Sequence, residues 1–182
     1  MIDRAMDFAV KVHRGQHRDG VPALPYVSHV VDVLNKLRYV GRVEDESMLC
    51  AALLHDVIEE SGVGRSELER EFGGDVAGLV LQLTREEPGT SDLEGKTEAE
   101  IRDLRSRLLL DGVRKMDARA HAIKLADRLS NLLAAEATRP KKKLKRYVSQ
   151  SREILEIVPP RANPALWSAL DREVQRLEQS LK

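Results

Sequence analysis

The dipeptide His55-Asp56 follows the apolar run Ala51-Ala52-Leu53-Leu54. An imidazole and a carboxylate carried into so apolar a stretch are costly to bury unless something pairs with them. Glu59 and Glu60 come next, each four residues past one member of the pair. On a helix that spacing puts His55 with Glu59 and Asp56 with Glu60 on shared faces. Carboxylates this close raise each other's proton affinity, and a bound divalent cation reverses that and holds them ionised. Two more residues stand out. His29 follows Pro25-Tyr26-Val27-Ser28 at a helix start, and Asp127 lies in the apolar run Lys124-Leu125-Ala126-Asp127-Arg128-Leu129. As a set, His29, His55, Asp56 and Asp127 offer two nitrogens and two carboxylates from three helices. Mixed N/O ligands without sulfur suit manganese or iron(II), less often zinc or magnesium. Four protein ligands leave room for water on an octahedral ion, and that water can be the nucleophile. Singly, each residue has a plainer use. A His-Asp dipeptide makes a structural hydrogen bond, His29 a helix cap or surface group, and Asp127 a partner for Lys124 or Arg128.

The elements that must position these residues are helices. Apolar residues recur at helical spacing along nearly the whole chain, and strand-like alternation is nearly absent, so the expected fold class is all-α with about eight helices. The first covers 2–14 and is followed by an irregular stretch, GQHRDGVPALPY, with two glycines and two prolines. The second covers 28–39 with Ser28 as N-cap, and the third runs unbroken over 44–60 to a Gly62-Val63-Gly64 turn. Ser66 is expected to cap a fourth helix to Phe72, with Glu69 completing a capping box, and a fifth covers 74–86. The polar, breaker-rich segment 87–97 reads as a mobile loop. Helices then cover 98–116, from Asp117 to the break at Pro140, 141–158 up to Pro159-Pro160, and 163–181. No internal repeat and no second-domain boundary is visible, so residues 1–182 are expected to form a single domain, with a motif-bearing core at 5–135 and packing helices at 141–181.

Composition narrows the function. The chain has 182 residues with 30 Lys+Arg against 30 Asp+Glu, and this net charge of zero argues against a general nucleic-acid binder. The 42% apolar and 33% charged shares fit neither a disordered chain nor a membrane protein. One cysteine, Cys50, excludes a disulfide framework and a thiolate zinc cluster, and it is expected to pack in the third helix. The start, MIDRAMDFAVKVHRGQ, has acids and no long apolar run, so it does not read as a signal peptide, and a cytoplasmic location is expected. The run Lys141-Lys142-Lys143-Leu144-Lys145-Arg146 reads as a solvated helix face. His17 reads as solvated or packing, and His121 as a cap or surface group.

The set His29, His55-Asp56 and Asp127 resembles the H…HD…D pattern of the HD superfamily of metal-dependent phosphohydrolases, and within it the hydrolase domain of the RelA/SpoT family. The resemblance is carried by Ala9-Val10-Lys11-Val12-His13-Arg14-Gly15-Gln16-His17-Arg18, Pro25-Tyr26-Val27-Ser28-His29, Ala51 to Glu60, Phe72-Gly73 and Lys124 to Asn131, in that order. It implies an all-α HD-domain bundle that removes the 3′-pyrophosphate of ppGpp and pppGpp, giving GDP or GTP, with Mn²⁺ as the usual ion. It is closest to the small stand-alone alarmone hydrolases. By the same resemblance His29, His55, Asp56 and Asp127 hold the metal. Glu59 and Glu60 handle the attacking water and the leaving group, Arg18 contacts the guanine base and Asn131 the ribose. The chain departs from the family pattern at three places. Asp19 stands where a lysine is common, Glu60 where an aspartate is, and Ser130 where an aromatic or His precedes the asparagine, which removes a stacking surface. Two other functions fit the residues: an HD phosphatase for another nucleotide such as NADPH, and a non-catalytic nucleotide-binding or antitoxin-type protein. Oligomeric state is left open by the sequence.

Overall fold

The protein's structure, a computed structural model, describes residues 1–18 and 21–182, with the backbone alone for 21–23. Asp19 therefore lies outside the described residues. The elements are α1 (Ile2–Val12), β1 (His17–Arg18), β2 (Val21–Pro25), α2 (Val27–Asn35), α3 (Glu46–Leu54), α4 (Val57–Ser61), α5 (Arg65–Leu83), α6 (Thr90–Leu93), α7 (Glu98–Lys115), α8 (Ala118–Thr138), α9 (Lys141–Ile157) and α10 (Pro164–Ser180). A π-helical turn, Lys36–Val40, continues α2, and a 3₁₀ turn, Pro160–Ala162, precedes α10. The fold is all-α apart from one small antiparallel hairpin, β1 with β2. That hairpin replaces the irregular stretch expected after α1.

The frame is organised around α3. Every residue from Met48 to Leu54 in it is buried. A helix apolar all round has no solvent face and must sit in the middle of its domain. α3 packs against α1, α2, α5 and α8, and α8 in turn packs against α9 and α10. Asp45 starts α3 by accepting from the Met48 N–H at 3.0 Å. Because the helix points inward, whatever follows Leu54 is delivered to the interior.

Several expected boundaries shift. The third helix is not continuous: it stops at Leu54 and restarts at Val57, with Asp56 at φ −102°, ψ −2° between them. That bridge-region backbone is sparsely populated and favoured at functional sites. Gly62, at φ +74°, then ends α4 in the left-handed conformation. Ser28 is not an N-cap, since α2 starts behind Tyr26 without a side-chain cap. Ser66 is not one either: α5 begins behind Gly64, and Glu69 pairs with Arg65 at 2.7 Å instead of closing a capping box. The capping box forms at α7, where Thr97 and Glu100 exchange hydrogen bonds. The segment after α5 is not wholly loop, because it carries the short α6.

The expected break between the fourth and fifth helices appears as a kink inside α5. Gly73 sits at φ +85°, ψ 162°. That region is essentially closed to residues with a Cβ. The kink lets Phe72 meet Phe8 edge-on at 5.4 Å while Val76 to Leu83 turn onto α3. Replacing Gly73 by alanine is expected to destabilise the fold by about 1–3 kcal/mol, measured as a lower midpoint in urea at unchanged slope. An unchanged midpoint would contradict the kink.

Candidate metal centre

Three helices and one break bring the candidate residues together. His29 lies in the first turn of α2, His55 and Asp56 in the break after α3, and Asp127 in the middle of α8. Both histidines and Asp127 are buried, so His29 is neither a surface group nor a cap. His29, His55 and Asp127 each offer a ligand atom, all within 4.8 Å of one another. Asp56 flanks both imidazoles: its Oδ2 is 3.0 Å from His55 Nε2 and 3.7 Å from His29 Nε2. On the other side Asp127 Oδ1 is 3.3 Å from His29 Nε2 and 3.8 Å from His55 Nε2. The four expected ligands thus face one small volume.

The donor set fits a cation there. His55 Nδ1 lies 2.8 Å from the Ala52 carbonyl. A carbonyl only accepts, so Nδ1 carries the proton and, in the neutral ring, Nε2 is a bare lone pair. His55 Nε2 stands 3.0 Å from Asp56 Oδ2, outside hydrogen-bond alignment but close enough for an ion pair when the ring is protonated. The site offers nitrogen and oxygen donors for a divalent ion.

Each carboxylate is also held by hydrogen bonds from neighbouring side chains. Tyr26 donates to Asp56 Oδ2 at 2.6 Å. Burial and the neighbouring Asp56 both raise the phenol's pKa, which keeps it a donor. Asp127 accepts from Lys124 Nζ at 2.9 Å on Oδ2 and from Asn131 Nδ2 at 2.6 Å on Oδ1. Burial opposes the Lys124 charge, but Asp127 outweighs it and the ammonium's pKa rises. The plainer role of Asp127, a partner for Lys124, therefore holds alongside its place in the cluster. α8 itself is pinned by Arg128, whose Nε, Nη1 and Nη2 donate to Ser151 Oγ, Gln150 Oε1 and the Tyr147 carbonyl at 2.8, 2.9 and 2.7 Å. Such full pairing is what makes a buried guanidinium tolerable.

The remaining expected residues are placed unequally. Glu59 Oε1 accepts from the Arg85 backbone N–H at 2.7 Å, and the Arg85 guanidinium stands 3.7 Å from Oε2. Partial burial raises the Glu59 pKa against the pull of Arg85. Glu60 is exposed, and its backbone carbonyl accepts from Gln16 at 3.3 Å. Arg18 reaches Asn131 Oδ1 at 3.5 Å, so the two residues expected to contact a nucleoside are adjacent and joined to Asp127. Ser130 is buried, with His29 Nδ1 at 3.2 Å and Asp32 Oδ2 at 2.6 Å. His13 is buried and stacks on Tyr26 at 4.7 Å. His121 is buried rather than superficial and bonds the Val113 carbonyl near the end of α7 at 2.9 Å. Cys50 packs in the core as expected.

Sequence reasoning gave no role to Tyr26, although it stands three residues before His29, and it missed Arg85, which no local pattern ties to Glu59. Arg85 also lines a cavity of about 480 Å³ with Arg102, Arg105, Lys142, Arg146 and Tyr147. The basic run at the start of α9 is thus a solvated face that contributes two cations to this cavity. A larger groove, about 820 Å³ between α9 and α10, contains none of the residues above.

The cluster's charge balance has a measurable consequence. Burial pushes the His55 pKa down, but Asp56 and Asp127 outweigh it and raise it to about 9. A group whose folded pKa lies above its unfolded value of about 6.5 stabilises the fold below that value and loses the contribution as pH rises through the folded pKa. With divalent cations chelated, resistance to urea is expected to decline between about pH 6.5 and about 9. His55→Gln should remove that decline. A wild-type stability independent of pH over this window would contradict the ion pairing.

Known proteins give the same architecture. A family model described as HD domain matches residues 5–163. The guanosine-3′,5′-bis(diphosphate) 3′-pyrophosphohydrolase of Drosophila melanogaster is 38% identical over 135 residues, 74% of this chain and 69% of that protein. A probable enzyme of the same name from Synechocystis is 33% identical over 163 residues, 90% of this chain, and the chain spans 20% of that longer protein. Among solved structures, a metazoan ortholog of SpoT, described as hydrolyzing ppGpp and playing a role in starvation responses, superimposes with a TM-score of 0.82 at 30% identity, over 96% of this chain and 94% of that one. With three helices delivering the H…HD…D residues to one buried volume, this chain belongs to the HD-domain family, on its RelA/SpoT hydrolase-like branch.

Proposed function

We propose that the chain is a metal-dependent (p)ppGpp 3′-pyrophosphohydrolase, giving GDP or GTP and pyrophosphate. The observation that carries this reading is the convergence of His29, His55 and Asp127 within 4.8 Å in the interior, with Asp56 against both imidazoles. These four are the proposed ligands. Their N/O character without sulfur favours Mn²⁺. When bound, such an ion neutralises phosphoryl charge and acidifies a water.

The chain's own residues supply the rest. Tyr26 and Lys124 hold Asp56 and Asp127 in orientation. Glu59, fixed by the Arg85 N–H, accepts the proton of the attacking water. The water oxygen bonds to the phosphorus carried on the ribose 3′-oxygen, the bond from phosphorus to that oxygen breaks, and pyrophosphate departs. The ribose oxygen takes up a proton, for which exposed Glu60 is the nearest candidate in sequence. Arg18 and Asn131, joined at 3.5 Å, lie where base and ribose contacts are expected. The cations of the 480 Å³ cavity, whose lining Arg85 also stands 3.7 Å from Glu59, suit the substrate's other diphosphate. Residues 1–182 act as one domain in this reading, with α9 and α10 supporting α8. Among the described residues no helix is long and apolar enough to cross a membrane. The proposed setting is the cytoplasm, with a nucleotide and not a nucleic acid as partner.

Purified protein with Mn²⁺ and ppGpp is expected to release pyrophosphate and GDP in equal amounts. Glu59→Gln should lower kcat by about 10²–10⁴, and Asp127→Ala should abolish turnover. Orthophosphate release from NADPH, with ppGpp left intact, would move the reading to a different nucleotide. An unchanged cellular phenotype for Asp56→Ala and Glu59→Gln would make it a binding protein. A second expectation concerns the cavity. Arg102→Glu combined with Arg146→Glu should raise KM for ppGpp at least tenfold while kcat changes much less, since cations remote from the reacting bond contribute uniform binding. A fall in kcat at constant KM would place those arginines elsewhere in the mechanism.

A further inference from the structure

Ser130 and Asp32 have no part in the chemistry described above, yet they determine where His29 keeps its proton. Ser130 is 3% exposed on α8. Its Oγ lies 2.6 Å from Asp32 Oδ2 and 3.2 Å from His29 Nδ1. Asp32 is three residues past His29 on α2, so the three side chains form one short chain across the α2–α8 contact.

The donors in this chain can be assigned by counting protons. Lys36 Nζ stands 2.6 Å from both Asp32 oxygens. Burial works against the Asp32 charge, but Lys36 and Ser130 outweigh it and hold the carboxyl below its ordinary pKa. An ionised carboxylate only accepts, and a hydroxyl has one proton to give. The short contact to Asp32 takes the Ser130 proton, so Ser130 meets His29 as an acceptor. That acceptor favours the imidazole proton on Nδ1, against Asp127 Oδ1, which at 3.3 Å from Nε2 draws it the other way. In the neutral ring a proton on Nδ1 leaves Nε2 bare, and Nε2 is the atom 3.3 Å from Asp127 and 3.7 Å from Asp56. The Ala52 carbonyl fixes His55 in the same tautomer.

We propose that the Asp32–Ser130 pair is a positioning device that locks His29 in the tautomer able to ligate through Nε2, and so sets the affinity of the centre for its divalent ion. The inference rests on the metal-centre reading above. It gives Ser130 a positive task at the place where the sequence suggested only a lost stacking surface. Outer partners of this kind commonly govern metal affinity by one to two orders of magnitude.

The test uses the whole chain labelled with ¹⁵N at histidine, and Mn²⁺ as the probe. In metal-free wild-type protein, His29 is expected to show a protonated Nδ1 and an unprotonated Nε2. Mn²⁺ binding is followed by loss of the free-ion EPR signal. Ser130→Ala should mix the His29 tautomers and weaken Mn²⁺ binding about 10–100-fold, and Ser130→Thr should restore both. Asp32→Ala, at a half-exposed position, should act in the same direction and serves if Ser130→Ala does not fold. A merely structural role would lower thermal stability and leave the tautomer unmoved. A wild-type His29 protonated on Nε2, or Mn²⁺ affinities within twofold of wild type in the folded variants, would overturn the proposal. A wild-type protein that takes up no Mn²⁺ would overturn the metal reading itself, and the tautomer measurement on metal-free protein would then decide the relay alone.

Discussion

Asp56 is carried inward by the helix that precedes it and Asp127 by the helix it sits in, and the rest of the structure answers that constraint. α3 is buried from Met48 to Leu54 and ends by turning His55 and Asp56 inward, where α8 presents Asp127. Carboxylates withdrawn from water are tolerable only when charge and hydrogen bonds are supplied in place of hydration. Here the supply comes from separate elements: His29 and the preceding Tyr26 at the start of α2, Lys124 and Asn131 from α8 itself. The cluster therefore draws on the whole frame: Asp127 is answered largely from its own helix, whereas Asp56 depends on Tyr26 at the start of α2 and on the imidazoles beside it.

The frame in turn is held by contacts remote from the cluster. Arg128 follows Asp127 in the chain but points the other way, and its three donors fix α8 against α9. That arrangement makes α9 a support for the Asp127 position without contributing a ligand. At the opposite side, the kink at Gly73 turns the second half of α5 onto α3, and the chain leaving α5 carries Arg85 back to Glu59. Backbone N–H groups are fixed in place by the fold, so a carboxylate that accepts from one keeps its position more firmly than one held by a flexible side chain alone. Glu59 has such a bond at its carboxylate, whereas the bond at Glu60 is to its backbone carbonyl. The two neighbouring glutamates are therefore unequal.

The sequence made the helices legible because each buries an apolar stripe, and a stripe is a local pattern. It made the four-residue cluster legible because charged residues inside apolar runs need a reason to be there. What it hid were features decided by distant partners. The break at His55-Asp56 is invisible in an apolar run that continues through Val57 and Ile58, since the interruption is imposed by where α4 must go. The β1–β2 pair depends on backbone pairing between two strands rather than on side-chain alternation. Ser28 and Ser66 have the right type for caps but fall inside helices that begin earlier, behind Tyr26 and Gly64. Ser130 is the sharpest case. Its partner Asp32 lies on another helix, and without that partner the serine reads as a loss.

The balance of 30 basic and 30 acidic residues describes the chain as a whole and not the surface a ligand meets. Arg85, Arg102, Arg105, Lys142 and Arg146 are gathered on one cavity, where five cations outnumber the two acids Asp103 and Glu153. Several of these cations are already engaged by acids: Arg85 and Arg105 by Glu87, and Arg102 by Glu98. Exposed pairs of this sort are worth little each, so they break at small cost when a stronger anion arrives. A polyphosphate offers several charges at fixed spacing and recruits such cations together. Local segregation of charge within a neutral total thus favours a compact, highly anionic ligand held at one cavity. Arg85, on the rim of that cavity, also stands 3.7 Å from Glu59, the glutamate that follows the buried histidine–aspartate pair.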